Sequence, residues 1–178
     1  MPQIVAFLRG INVGGRSVKK DTLKEAFSSL GFNNVCTFKQ SGNVIIETNN
    51  ADMRKLEQEI TSKLQTTLGY NVSVTLRSME KLRSIVSLEP FKDQSSEGSS
   101  FLVTFLPNLP PAEFMSQLPL TIPKSTAQVI SANDTEVFSV THGGGEGALP
   151  NPFIESKLRV KATTRNINVL LNIIEKFG

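Results

Sequence analysis

The chain has 178 residues, a formal net charge of +3, one cysteine and one histidine. That length fits one domain or two small packed ones and can bury a sizeable core. A lone cysteine excludes an intrachain disulfide, and one histidine with one cysteine excludes a His- or Cys-based metal cluster. The mild positive charge admits an anionic partner without demanding nucleic acid.

The opening Met1-Pro2-Gln3 lacks a basic leader segment, and no apolar run approaches the about 18 residues of a membrane span. With so few cysteines, the expectation is a cytoplasmic protein. Ile4 to Leu8 is a continuous apolar run, as in a central strand. It closes on Leu8-Arg9-Gly10-Ile11-Asn12-Val13-Gly14-Gly15-Arg16 and a basic Lys19-Lys20. Leu23, Ala26, Phe27 and Leu30 then have the spacing of a helix face. Thr22 and Glu25 match a capping box, with Asp21 a competing cap, and Gly31 stands where a helix should stop. Val35 to Lys39 and Asn43 to Thr48 read as strands joined by the turn Gln40-Ser41-Gly42-Asn43. Cys36, between Val35 and Thr37, is expected to be a buried, inert thiol. Met53, Leu56, Ile60 and Leu64 share a helical face closed by Gly69, and Val72, Val74 and Leu76 alternate as in a half-buried strand.

The order β-α-β-β-α-β through about residue 77 predicts a ferredoxin-like subdomain over 1–77 and a second, less regular α+β subdomain over 78–178. In that arrangement the third strand lies beside the first and antiparallel to it. The loops Gly10–Arg16 and Gln40–Asn43 should therefore share one edge of the sheet. In the second half, Met79 to Val86 suggest a short helix, and Asp93 to Ser100 a polar linker or loop. Phe101 to Leu106 reads as a strand and Ala112 to Leu118 as a short helix. Ala127 to Ser131 and Glu136 to Val140 are two strands about the turn 132–135, and Ile167, Leu170, Leu171 and Ile174 mark a final helix. The reading is β-α-β-β-α, a topological echo of the first half without a visible sequence repeat.

Three stretches carry a family likeness: Leu8 to Gly15, Gln40-Ser41-Gly42-Asn43-Val44, and Ala162-Thr163-Thr164-Arg165-Asn166 opening the final helix. Together with Glu89-Pro90-Phe91 before a long strand, they resemble the bacterial family catalogued as domain of unknown function 1697, over nearly the whole chain. In that family Trp and then Asn-Thr usually follow the Arg-Asn pair. Here Ile167, Asn168 and Val169 stand there, and the chain has no Trp. The resemblance implies an α+β fold of ferredoxin-like character and no established activity.

The glycine loop matches neither the dinucleotide fingerprint nor a P-loop, so Walker-type phosphate binding is excluded. Its glycines can still turn N–H groups toward one anion. Arg9, Asn12, Gly14, Gly15 and Arg16, with Gln40, Ser41 and Asn43 from the second loop, are the expected ligand-binding residues for a small anionic group. The competing reading is a structural turn, with Asn43 capping backbone. Thr164, Arg165 and Asn166 are added because a helix N-terminus favours an anion, with Thr163 or Thr164 as N-cap. His142 before a glycine run reads as an exposed loop residue and a poor general base. No catalytic or metal residue is assigned and no cofactor is identified. A nucleic-acid-binding module using the same basic loop is the alternative, although Phe7, Phe38, Phe101, Phe105 and Phe138 read as core rather than as stacking platforms. An enzyme of unidentified chemistry is the third reading.

Overall fold

A computed structural model describes residues 1–12, 14–15, 17–39, 42–143 and 149–178. The fold is α+β. The chain divides into two compact units, Met1–Leu82 and Arg83–Gly178.

The first unit runs β1 (Gln3–Arg9), α1 (Lys20–Ser28), β2 (Cys36–Phe38), β3 (Asn43–Glu47), α2 (Met53–Leu68) and β4 (Ser73–Ser78), and α3 (Met79–Ser87) follows across the division. Its sheet has the order β2-β3-β1-β4, and β1 is antiparallel to both β3 and β4. The apolar run places β1 at the centre, where residues 4 to 8 are all buried. Ile4, Ala6 and Leu8 point to one face with Val44, Ile46, Val74 and Leu76, and there they meet Leu23, Phe27, Leu56, Ile60 and Leu64 from the helices. Burying each of the Val, Leu, Ile and Phe side chains contributes roughly 1.5–3 kcal/mol. The helix α2 is closed at both ends. Asp52 Oδ1 accepts from Lys55 N (3.0 Å), and Gly69, at φ 75°, donates its N–H to Gln65 O (2.9 Å).

Two expectations for this unit are corrected. The capping box at Thr22 is not used: α1 starts at Lys20, with Lys19 as N-cap and no side-chain cap. The chain enters the helix early because Asn12 Oδ1 holds Val18 N (3.0 Å), so that Lys19 O already accepts from Leu23 N (3.3 Å). Cys36 is half-buried rather than buried, because β2 is an end strand of the sheet.

The second unit contains β5 (Ser99–Phe105), α4 (Ala112–Ser116), β6 (Leu120–Thr121), β7 (Ala127–Asn133), β8 (Glu136–His142), α5 (Asn151–Leu158), β9 (Thr163–Asn166) and α6 (Ile167–Phe177). Its sheet order is β6-β7-β8-β5-β9, and each strand in that order is antiparallel to its neighbours. Without the two-residue β6, the order β7-β8-β5-β9 repeats β2-β3-β1-β4 element for element. Periodicity missed β6, α5 and β9, of which β6 has only two residues and β9 four. α5 begins Asn151-Pro152, and β9 is the polar Thr-Thr-Arg-Asn. The loop expected up to Ser100 is also shorter, since β5 begins at Ser99.

A converged loop pair and an adjoining cleft as the candidate functional site

The two loops of the first unit meet. Leu8 N donates to Gly42 O (2.7 Å), and a Cβ on Gly42 would stand 2.6 Å from Ile11 Cδ1 and 3.0 Å from Leu8 Cβ. Gly42 has φ 73°, so both the backbone and the available space require glycine there. The glycine loop is pinned at three further points. Gly10, at φ 87°, lies against Asn71 O; Tyr70 Oη donates to Ile11 O (3.1 Å); and Asn12 Oδ1 accepts from Val18 N. Between these anchors Gly14 and Gly15 are exposed, both with positive φ.

The expected ligand residues therefore divide. Arg9 is half-buried at the end of β1, beside the loop. Asn12 is exposed but spends its carbonyl oxygen on Val18. Asn43 is 1% exposed and donates Nδ2 to Phe38 O (3.1 Å), which locks the β2–β3 hairpin. Its amide is a structural element of the turn. Arg16, Gln40 and Ser41 lie outside the described residues.

Next to the loop is an open cleft of about 570 Å³ lined by Ser17, Val18, Lys19, Thr22, Thr67, Leu68 and Tyr70. Val18, Leu68 and Tyr70 rest on the core of the unit and form its apolar base. Ser17 and Val18 belong to the end of the pinned loop, so loop and cleft are contiguous. Sequence reasoning missed Tyr70 and Thr67. The available signal was the only tyrosine of the chain, placed just after the helix-ending Gly69, where an aromatic body can pack while its hydroxyl finds a partner.

Thr164, Arg165 and Asn166 belong to the second unit, and of the three only Asn166 stands at the helix N-terminus. Thr163–Asn166 is a strand paired with β5, and the N-cap of α6 is Asn166, whose Oδ1 accepts from Asn168 N (2.9 Å). Neither Thr163 nor Thr164 caps the helix. Strand pairing wins because it gives the backbone groups on the inner side of the segment partners on β5. The Thr164 hydroxyl donates to Asn151 Oδ1, so the Thr104 hydroxyl must donate to Thr164 (2.7 Å). Asn151 Nδ2 completes the chain on Ala162 O (2.9 Å). This is a satisfied internal network. Arg165 donates Nη1 to Thr164 O (2.9 Å), and burial lowers its pKa to about 10, leaving it cationic at neutral pH.

His142 ends β8 rather than lying in a loop. It is exposed, and its Nδ1 is 2.9 Å from the hydroxyl of Ser99, its register partner on β5. Among the described residues no group of three or more His, Cys, Asp and Glu side chains could hold a metal ion. Of the strand phenylalanines, Phe7, Phe105 and Phe138 are buried, and Phe101 stacks on Phe91 with ring centroids 4.8 Å apart. These rings serve packing.

The family described as "Protein of unknown function (DUF1697)" matches residues 1–138. The chain belongs to this family. The match includes both loops of the candidate site, whereas the Thr163–Asn166 stretch lies beyond it. No functionally curated protein matches. Among solved structures, the chain is similar to the conserved bacterial protein SP0830 from Streptococcus pneumoniae, with a TM-score of 0.69 and 17% identity, over 98% of this chain and 97% of that one. At that identity the likeness concerns the fold. Among the described residues no helix is long and apolar enough to cross a membrane.

Proposed function

We propose that this DUF1697 protein binds a small anionic molecule, a nucleotide or a phosphorylated or carboxylated metabolite, at the loop from Gly10 to Val18. We read its first unit, from the strand order, as ferredoxin-like, and we place the protein in the cytoplasm, in keeping with its single free cysteine. The observation that carries the reading is the way the loop is held. Bonds from Val18, Tyr70 and Leu8 fix its ends and flank, while the exposed Gly14 and Gly15 leave its backbone approachable. A polar loop anchored at its ends on a sheet loses less entropy on binding than one tethered loosely. Arg9 on one side and Lys19 on the other supply positive charge, and Arg16, Gln40 and Ser41 belong to the same proposal by their place in the chain. Asn43 and Thr164 are left out, since their polar atoms are committed to the fold.

The test is an amide NMR titration with inorganic phosphate. Chemical-shift changes are expected at residues 10–19, and Arg9→Ala should weaken binding about ten- to a hundredfold, roughly the worth of one charge-assisted hydrogen bond. Lys92→Ala, the same loss of charge in the second unit, should leave binding unchanged. Equal affinity of wild type and Arg9→Ala, or shifts confined elsewhere, would defeat the proposal.

A further inference from the structure

Resting on that reading, we infer that the cleft beside the loop receives the hydroxylated body of the ligand, so that the substrate class is a sugar phosphate rather than a bare anion. The lining residues carry this inference. Ser17, Thr22 and Thr67 are three hydroxyl-bearing lining residues from three separate segments: the end of the loop, the first turn of α1 and the last turn of α2. Each can both donate and accept, which matches the hydroxyls of a sugar, themselves donors and acceptors. Lys19 is the one charged side chain among the described lining residues, and no carboxylate stands there to repel an anion. Val18, Leu68 and Tyr70 give an apolar base for the carbon skeleton, anchored on the core behind it. The cleft, at about 570 Å³, lies within the roughly 300–1,000 Å³ typical of small-molecule sites. No carboxamide lines it among the described residues, so the paired donor and acceptor that would read a nucleobase edge is missing and the sugar is the part recognised.

A second pocket lined by described residues of this unit does not compete for the same ligand. It measures about 270 Å³ and carries Glu47 and Glu59 in its lining, which disfavours anions.

The experiment is calorimetric titration of the full chain with inorganic phosphate and with ribose 5-phosphate. Wild type should bind ribose 5-phosphate about tenfold or more tighter than phosphate, the equivalent of one or two net hydrogen bonds. Thr67→Trp, at an exposed position on the cleft wall, should remove that advantage and leave phosphate affinity unchanged. Thr66→Trp, exposed beside it but not lining the cleft, serves as the control and should change neither. Equal affinity for the two probes in wild type, or an unchanged ribose 5-phosphate affinity in Thr67→Trp, overturns the cleft assignment while leaving anion binding at the loop intact. Binding of neither probe overturns the loop reading and this inference with it.

Discussion

At Gly42 a single hydrogen atom in place of a methyl group decides whether two loops can meet. A Cβ at this position would lie well inside contact distance of Ile11, and the φ of 73° is unfavourable for any side chain. Gly42→Ala should therefore destabilise the protein by about 1–3 kcal/mol, read from urea unfolding. Ile11→Val removes the Cδ1 atom that makes the shortest contact, so the double variant should be less destabilised than the sum of the singles. Strict additivity would show that the contact with Ile11 Cδ1 carries none of the cost. The same scale explains why candidate residues were only partly legible. Asn12 and Asn43 have the side chains of a binding loop and also those of a turn, and their sequence neighbours are the same in either role. What separates the roles is the partner of each amide, Val18 N for one and Phe38 O for the other, and those partners depend on the folded path of the chain.

Among the elements, the end strands β4 and β9 use one device twice. Each carries an arginine that donates to the preceding backbone carbonyl, Arg77 to Leu76 O and Arg165 to Thr164 O, and each runs directly into a helix capped by the next residue, Ser78 or Asn166. A glutamate from the preceding helix also accepts a backbone N–H nearby, Glu57 from Leu76 (2.7 Å) and Glu155 from Ala162 (2.8 Å). An end strand left with open N–H groups invites pairing with other chains, and a carboxylate on the edge opposes it. Glu57 does this from a half-buried position. Burial holds its carboxyl above the ordinary 4.5, against the downward pull of the Leu76 N–H and of Arg77 and Arg54. Between 4.5 and that raised value the folded state binds more protons than the unfolded one, so this group makes stability fall as pH rises through the window. Below 4.5 its contribution is constant. Glu57→Gln keeps an acceptor for Leu76 and removes the titration, so its unfolding free energy should lose this downward slope. Parallel pH profiles for the two proteins would exclude Glu57 as the source.

At the scale of the whole molecule, the charge of +3 on 178 residues is too small to support an extended polyanion footprint by itself. Phosphate binding should therefore weaken only gently with added salt, with a log–log slope of about −1 or shallower between roughly 50 and 200 mM. A single-stranded RNA octamer bound with a slope steeper than about −3 would instead favour a nucleic-acid module. The two units also share one topology without a visible sequence repeat, because a strand order constrains only the placement of apolar runs and turns. Long periodic segments such as Ile4–Leu8, Met53–Leu68 and Ile167–Phe177 declare themselves, since burial of one face imposes a pattern over many residues. Short polar ones such as Thr163–Asn166 do not, because their structure comes from a partner strand distant in sequence. By itself, then, the sequence determined the α+β class, the first unit's order of elements and the meeting of its two loops, all of which follow from apolar periodicity and glycine placement. Tertiary structure alone decided that β9 is a strand, that Asn43 and Thr164 serve the fold, and that a hydroxyl-lined cleft opens beside the glycine loop, because each depends on which atoms folding brings within hydrogen-bonding reach.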